Sequence, residues 1–198
     1  MSQDLAGLDT FPKLLLHHAR VRGELPAIRE KDLGIWQTWT WKQFADEVRA
    51  LACGLASQGL KRGDHFALVG DNRPRVYAAM CAAQCLGAIP VPLYQDAAAA
   101  EMAFPLQNAE ITHALAEDQE QVDKLLEILP QCPALKHIYY DDPRGMRHYG
   151  QPQLMDYEKL RALGAESYRR DPAFLESEIA KGAGVDAAAM FFTSGTTG

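Results

Sequence analysis

Apolar positions along the chain fall first into helical and then into alternating strand-and-helix spacing. Trp41, Phe44, Ala45, Val48, Leu51, Ala52 and Leu55 lie three and four residues apart, the spacing of one helix face. Just ahead of them, Thr40-Trp41-Lys42-Gln43 matches a capping box, and Gly59 marks the end of the run. An earlier helix is predicted from Thr10 and Phe11-Pro12 through LLLHHARVR to Gly23. Between these helices, residues 27–30 and 35–40 flank Lys31-Asp32-Leu33-Gly34 and read as a hairpin, with Trp36 and Trp39 as packing residues.

From residue 61 the pattern changes. After the turn Lys61-Arg62-Gly63-Asp64, the short apolar run 65–70 has the character of a strand buried on both faces. Pro74 opens a helix whose apolar body is 76–86 and which Gly87 ends, and 88–93 supplies the next strand. The alternation continues with a helix near Ala97, strand 111–116, helix 119–129 and strand 135–140. Such alternation predicts an α/β fold with a largely parallel sheet, preceded by a helix and a β-hairpin.

Pro105 is awkward in this scheme. A proline inside a helix costs about 3 kcal/mol, so the helix there is expected to stop, restart or bend. Residues 141–153 read as a surface loop, 155–163 and 172–181 as polar helices, and 185–192 as a last apolar strand. The organisation is therefore 1–60 helix, hairpin and capped helix, 61–145 βαβ units, 146–184 loop and polar helices, and 185–198 strand and terminal loop. No internal repeat or linker interrupts it.

Composition narrows the function classes. The 198 residues are 47% hydrophobic and 23% charged, enough to build a core. Twenty basic against 26 acidic residues, without a basic block, argue against nucleic acid as a partner. Cys53, Cys81, Cys85 and Cys132 lack the paired close spacing of zinc sites or secreted frameworks and read as reduced thiols of a cytoplasmic protein. Cys81 and Cys85 share a helix face, yet buried small residues are favoured over a metal or redox pair.

The first twenty residues carry Asp4, Asp9, Lys13 and Arg20 and do not read as a signal peptide. Residues 76–95 hold no charge over the length of a membrane helix, but Gly87, Pro90 and Pro92 would break it. His17 and His18 are adjacent and cannot point the same way, and His65, His113, His137 and His148 show no catalytic pattern.

The candidate chemistry is at the end of the chain. Thr193-Ser194-Gly195-Thr196-Thr197-Gly198 places four hydroxyls and two glycines directly after the last apolar run. Glycines let backbone N–H groups converge, and convergent N–H groups with hydroxyls make an anion cradle suited to phosphates. A loop leaving the end of a buried strand is also where α/β sheets place ligands. A polar Gly-Thr loop without a ligand is the plain alternative. The Walker pattern G-x-x-x-x-G-K-[ST] does not fit: with Gly198 as its second glycine position 193 should be Gly, and after Gly195 the lysine position holds Thr196. Were Gly195 its first glycine, the rest would lie past residue 198.

TSGTTG after an apolar run resembles the start of the phosphate-loop signature of the adenylate-forming (AMP-binding) superfamily, which continues in that family as x-Pro-Lys-Gly. Segments 36–55, 60–96 and 116–145 resemble the N-terminal part of its long-chain fatty acid–CoA ligase branch. The resemblance implies a two-step ligase using ATP, Mg2+ and coenzyme A, in which a fatty acid is activated as an acyl-adenylate and passed to the thiol of coenzyme A. By position it assigns the ATP phosphates to Thr193, Ser194, Gly195, Thr196, Thr197 and Gly198, with Thr193 as the metal-side ligand and no catalytic residue within the chain.

It further implies that these residues are the N-terminal part of the large domain of a longer enzyme, inactive alone. Such an enzyme would be cytoplasmic or peripheral to a membrane. An open edge at 185–192 would favour self-association. Another adenylate-forming enzyme, such as an aryl-CoA ligase or a peptide-synthetase adenylation domain, would share the same loop. A non-catalytic module keeping part of the fold stands as the reading from another class.

Overall fold

The computed structural model describes residues 7–193. Helix α1 (Phe11–Val21) precedes a two-stranded antiparallel hairpin, β1 (Pro26–Asp32) and β2 (Ile35–Thr40). Helix α2 (Trp41–Ser57) then leads into β3 (His65–Val69), α3 (Pro74–Cys85), β4 (Ile89–Leu93), α4 (Ala99–Asn108), β5 (His113–Ala116) and α5 (Gln119–Ile128). The chain continues with β6 (His137–Tyr140), β7 (Leu154–Asp156), α6 (Tyr157–Arg170) and α7 (Pro172–Lys181). Strands β3 to β7 form one parallel sheet in the order β4-β3-β5-β6-β7.

The starts of these helices follow from their caps. Thr40 Oγ1 accepts from the Gln43 N–H at 3.2 Å while Gln43 Oε1 accepts from the Thr40 N–H at 2.8 Å, the reciprocal box expected of this sequence. Asp118, Asp156 and Asp171 cap α5, α6 and α7 with their carboxylates. Thr10 caps α1 ahead of Pro12.

Period-2 alternation divides the sheet residues between two cores. Phe66, Leu68, Leu115 and Tyr139 pack with α1, α2, α3, α6 and α7. Ala67, Val69, Val91, Ala114, Ala116 and Ile138 pack with α4 and α5. With helices on both faces, β3 and β5 are almost wholly buried, as their unbroken apolar runs require.

Helices α2 and α6 approach so closely that Cβ atoms have no room at the crossing. A Cβ on Gly164 would lie 1.8 Å from the Ala50 carbonyl oxygen, and one on Gly54 would lie 2.5 Å from that of Leu160. Beside this crossing the buried Glu47 carboxylate is satisfied by Tyr157 Oη at 2.7 Å and Arg161 Nε at 2.6 Å. Cys53, Cys81 and Cys85 lie in the core between α2 and α3, and Cys132 is buried on the opposite face. Burial pushes the Cys53 thiol up to about 11. A hydrogen bond with Cys81, followed by burial, raises that of Cys85.

Two expectations need correction. Of the three outcomes expected at Pro105, helix α4 neither stops nor restarts but runs through it to Asn108: Met102, Ala103 and Leu106 are buried around the proline, and their packing outweighs one missing backbone bond. At the start of the stretch read as helix 155–163, Met155 and Asp156 instead belong with Leu154 to strand β7, paired with β6 from Ile138↔Leu154 to Tyr140↔Asp156, and the helix starts only at Tyr157. Residues 185–192, expected as a strand, start in a turn and bend at 185–186 and join no sheet.

The reason for the last difference lies in β4. The Ile89 N–H points inward, donating to Asp64 O at 2.8 Å, so the alternate residues Pro90 and Pro92 face outward. That outer edge carries carbonyls but no N–H donor, and only half a ladder can form on it. Met190 N–H donates to Pro90 O at 3.0 Å, and the expected reciprocal bond has no donor.

Candidate functional site

In a parallel sheet of this kind, ligands bind outside the carboxyl ends of the strands, where neighbouring connections leave toward opposite faces. Here β3 is followed by α3 on one face, whereas its neighbours β4 and β5 are followed by α4 and α5 on the other. The loops after these three strands therefore frame a crevice.

The crevice floor is polar and tightly connected. Glu117, directly after β5, accepts from the Asp71 N–H and from Arg73 Nε, each at 2.5 Å. Arg73 reaches on to Glu30 in the hairpin at 3.8 Å, and its hydrogen bond to Glu117 raises the guanidinium pKa further. Gln95 Nε2 donates to Asp71 Oδ1 at 2.7 Å, tying the loop after β4 to the loop after β3. Lys124 Nζ donates to Gln95 O at 2.6 Å. Gly70 is required here, because a Cβ at that position would lie 2.6 Å from Glu117 Cβ.

A second ionic group stands after β6. Arg75 donates to Asp141 Oδ1 at 2.6 Å, pairs also with Glu158, and lies over the Tyr157 ring at 4.5 Å. Burial raises the Asp141 carboxyl pKa, against the lowering effect of Arg75. These side chains position loops: their charges are matched by one another.

The segment carrying the candidate phosphate loop arrives beside this crevice. Ala188 O accepts from Gln84 Nε2 at 2.7 Å, Met190 bonds Pro90, and the Phe192 ring meets Phe104 of α4 edge-on at 6.1 Å. These contacts run in the direction of β4. Three residues beyond Met190 the chain reaches Thr193, which is exposed. Ser194, Gly195, Thr196, Thr197 and Gly198 lie outside the described residues.

The sequence singled out Thr193 but not Asp71, Arg73, Gln95 or Glu117. Their common signal is position, since each falls within a few residues of the end of a buried strand. Among the described residues, no group of three or more His, Cys, Asp or Glu is arranged to hold a metal ion. Nor is any helix among them long and apolar enough to cross a membrane.

The chain is similar to known proteins in sequence and in fold. The family model described as AMP-binding enzyme matches residues 15–198. A long-chain-fatty-acid–CoA ligase of Mycobacterium bovis is 30% identical over 190 residues, covering 96% of this chain and 30% of that protein. A Xenopus laevis protein of the same description is 27% identical over 199 residues, covering 98% and 26%. The structure of acetoacetyl-CoA synthetase from Streptomyces lividans superimposes with a TM-score of 0.69 at 20% identity, over 77% of this chain and 25% of that one. The chain thus spans about a third or less of the length of these relatives.

Proposed function

Because the chain belongs to the AMP-binding enzyme family, we propose that it supplies the ATP-phosphate side of a fatty acid–CoA ligase whose remaining parts lie outside these 198 residues. The observation that supports this reading is the course of the segment leading to Thr193, which runs along β4 with Met190 N–H on Pro90 O and Phe192 against Phe104. The similarity to long-chain-fatty-acid–CoA ligases over nearly the whole chain supports a fatty acid as the substrate.

The chemistry has two steps. A carboxylate oxygen attacks the α-phosphorus of ATP, a P–O bond forms to the acid, and pyrophosphate leaves. The coenzyme A thiol, giving up its proton, then attacks the acyl carbon and AMP leaves. In the first step two anions meet while negative charge builds on pyrophosphate, so fixed N–H and hydroxyl donors aimed at the phosphates lower the barrier.

Thr193, Ser194, Thr196 and Thr197 supply the hydroxyls, and Gly195 and Gly198 allow the backbone N–H groups to converge. Thr193 would face a magnesium ion carried by the phosphates, which would neutralise part of their charge. The crevice pairs Arg73–Glu117 and Gln95–Asp71 keep the loops after β3, β4 and β5 in fixed positions.

The test is acyl-CoA formation by the protein at its natural length with a panel of fatty, aryl and amino acids. A long-chain fatty acid should give the highest kcat/KM. Preference for an aryl or amino acid would move the protein to another branch of the family. The isolated 198 residues should release no pyrophosphate in response to fatty acid, and release would refute the division of the site proposed here.

A further inference from the structure

A cavity of about 490 Å3 opens at the opposite, amino-terminal edge of the sheet, between the start of α1, the turns before β3 and β4, and residues 179–188. Its volume falls within the range of small-molecule sites, about 300–1,000 Å3. Phe11, Leu14, Ile89, Ile179, Ala187 and Ala188 make most of its wall apolar.

Three charged side chains line it: Asp9, Arg62 and Asp186. Asp9 is matched, accepting from Lys13 Nζ at 2.8 Å and from the Gly184 N–H at 2.9 Å. Asp186 accepts from the Ala183 N–H at 2.9 Å. Arg62 is held tightly on one side and loosely on the other. Its Nη2 donates to Glu178 O at 3.0 Å and lies 3.6 Å from the Glu178 carboxylate. Nη1 has its nearest carboxylate, Asp186 Oδ2, at 3.9 Å, outside hydrogen-bond distance.

Gly87 explains why the guanidinium sits at this wall. With φ at +70° it turns the chain into β4, and a Cβ there would lie 2.2 Å from Arg62 Nη1. The absent side chain leaves the guanidinium seated on backbone, its Nη1 held by the long Asp186 pair.

We infer that this cavity is a binding site for an apolar monocarboxylate, its hydrocarbon tail against the Phe11–Ile89–Ile179 wall and its carboxylate accepting from Arg62 Nη1. The tail is held by removal of apolar surface from water and the head by a charge-assisted hydrogen bond. The site is separate from the acid-activating reaction: it lies at the starts of β3 and β4, away from the loops that follow the strands, and its occupancy does not depend on catalysis.

The test is a 15N NMR titration of the chain with octanoate, octan-1-ol and octylamine, followed at the cavity glycines Gly63, Gly87, Gly182 and Gly184. Octanoate should shift these amides saturably, with octan-1-ol at least about tenfold weaker for want of the charged head and octylamine weaker still. Arg62→Gln should bring octanoate down to the level of the alcohol. Arg62 also braces Glu178, so a second variant, Ala187→Trp, fills the cavity from an exposed position and should abolish binding with the melting temperature unchanged. Equal binding of acid and alcohol, tighter binding of the amine, octanoate binding that survives Ala187→Trp, or no saturable shift would each overturn the inference.

Discussion

The Gln84 side-chain amide donates at 2.7 Å to the Ala188 carbonyl, the group that a parallel neighbour of β4 would offer to the backbone N–H that Pro90 lacks. Together with Met190 N–H on Pro90 O, it gives residues 188–190 one bond made by backbone and one made by a side chain. A side chain of α3 thereby guides the chain along β4.

Gln84→Leu should therefore loosen the segment that leads to Thr193 while leaving the sheet intact. Losing one such hydrogen bond costs on the order of 1 kcal/mol. Hydrogen exchange at the Met190 amide should speed up, with amides of β3 and β5 unchanged. Unchanged Met190 exchange would show that Met190 and Phe192 packing alone holds the segment.

The legibility of this segment in the sequence was partial. Its apolar run and following loop are visible in the residue pattern, as are the capping box at Thr40 and every strand from β3 to β6. Periodicity reports burial, however, and 185–192 is apolar because Met190 and Phe192 pack against the α4–α5 core, whether or not a ladder forms. Pro90 and Pro92 held the missing information, but their outward orientation depends on which residues of β4 face β3. Strand β7 escaped for a related reason: three residues are too few to show a period, and its existence depends on pairing with β6. In the crevice, Arg73 and Glu117 are 44 positions apart, and only the adjacency of β3 and β5 brings them together.

The α2–α6 crossing offers a sharp packing test. Gly164→Val should destabilise the chain by about 3 kcal/mol or more, since its side chain would enter space occupied by the Ala50 carbonyl and the helices would have to separate. Gly150→Val, at an open position, should cost far less in the same urea unfolding experiment.

Acid sensitivity should arise in part from His113. Its ring stacks on His137 at 4.6 Å, Nε2–H donates to Gln58 O at 3.1 Å, and Nδ1 accepts from the Thr112 hydroxyl at 2.8 Å. Burial lowers its pKa to about 4, with His137 adding to the lowering and the Gln58 carbonyl opposing it. The unfolded chain then binds more protons than the folded one between about pH 6.5 and 4, so stability is full above that window and falls as pH drops through it. The contribution is about 2–3 kcal/mol. An NMR titration should place the His113 ring near 4; a value near 6.5 would remove this source of acid lability.

The four thiols should be inert in the native state. Cys53, Cys81, Cys85 and Cys132 are buried, and burial raises the thiol pKa of Cys53 and Cys132, suppressing their reactive thiolate. A thiol reagent at neutral pH should label none of them until denaturant is added. Rapid native labelling would place at least one at an opening in the α2–α3 core or beside α4.

The measurement that tests the central claim most directly is fatty acid-dependent exchange of labelled pyrophosphate into ATP by the protein at its natural length, with Thr193→Val alongside the parent. The account predicts exchange that requires the acid and falls sharply in Thr193→Val, with the melting temperature unchanged because Thr193 is exposed. Equal exchange in the two proteins would contradict the assignment of Thr193 to the phosphates, and no exchange with any acid would contradict the ligase reading itself.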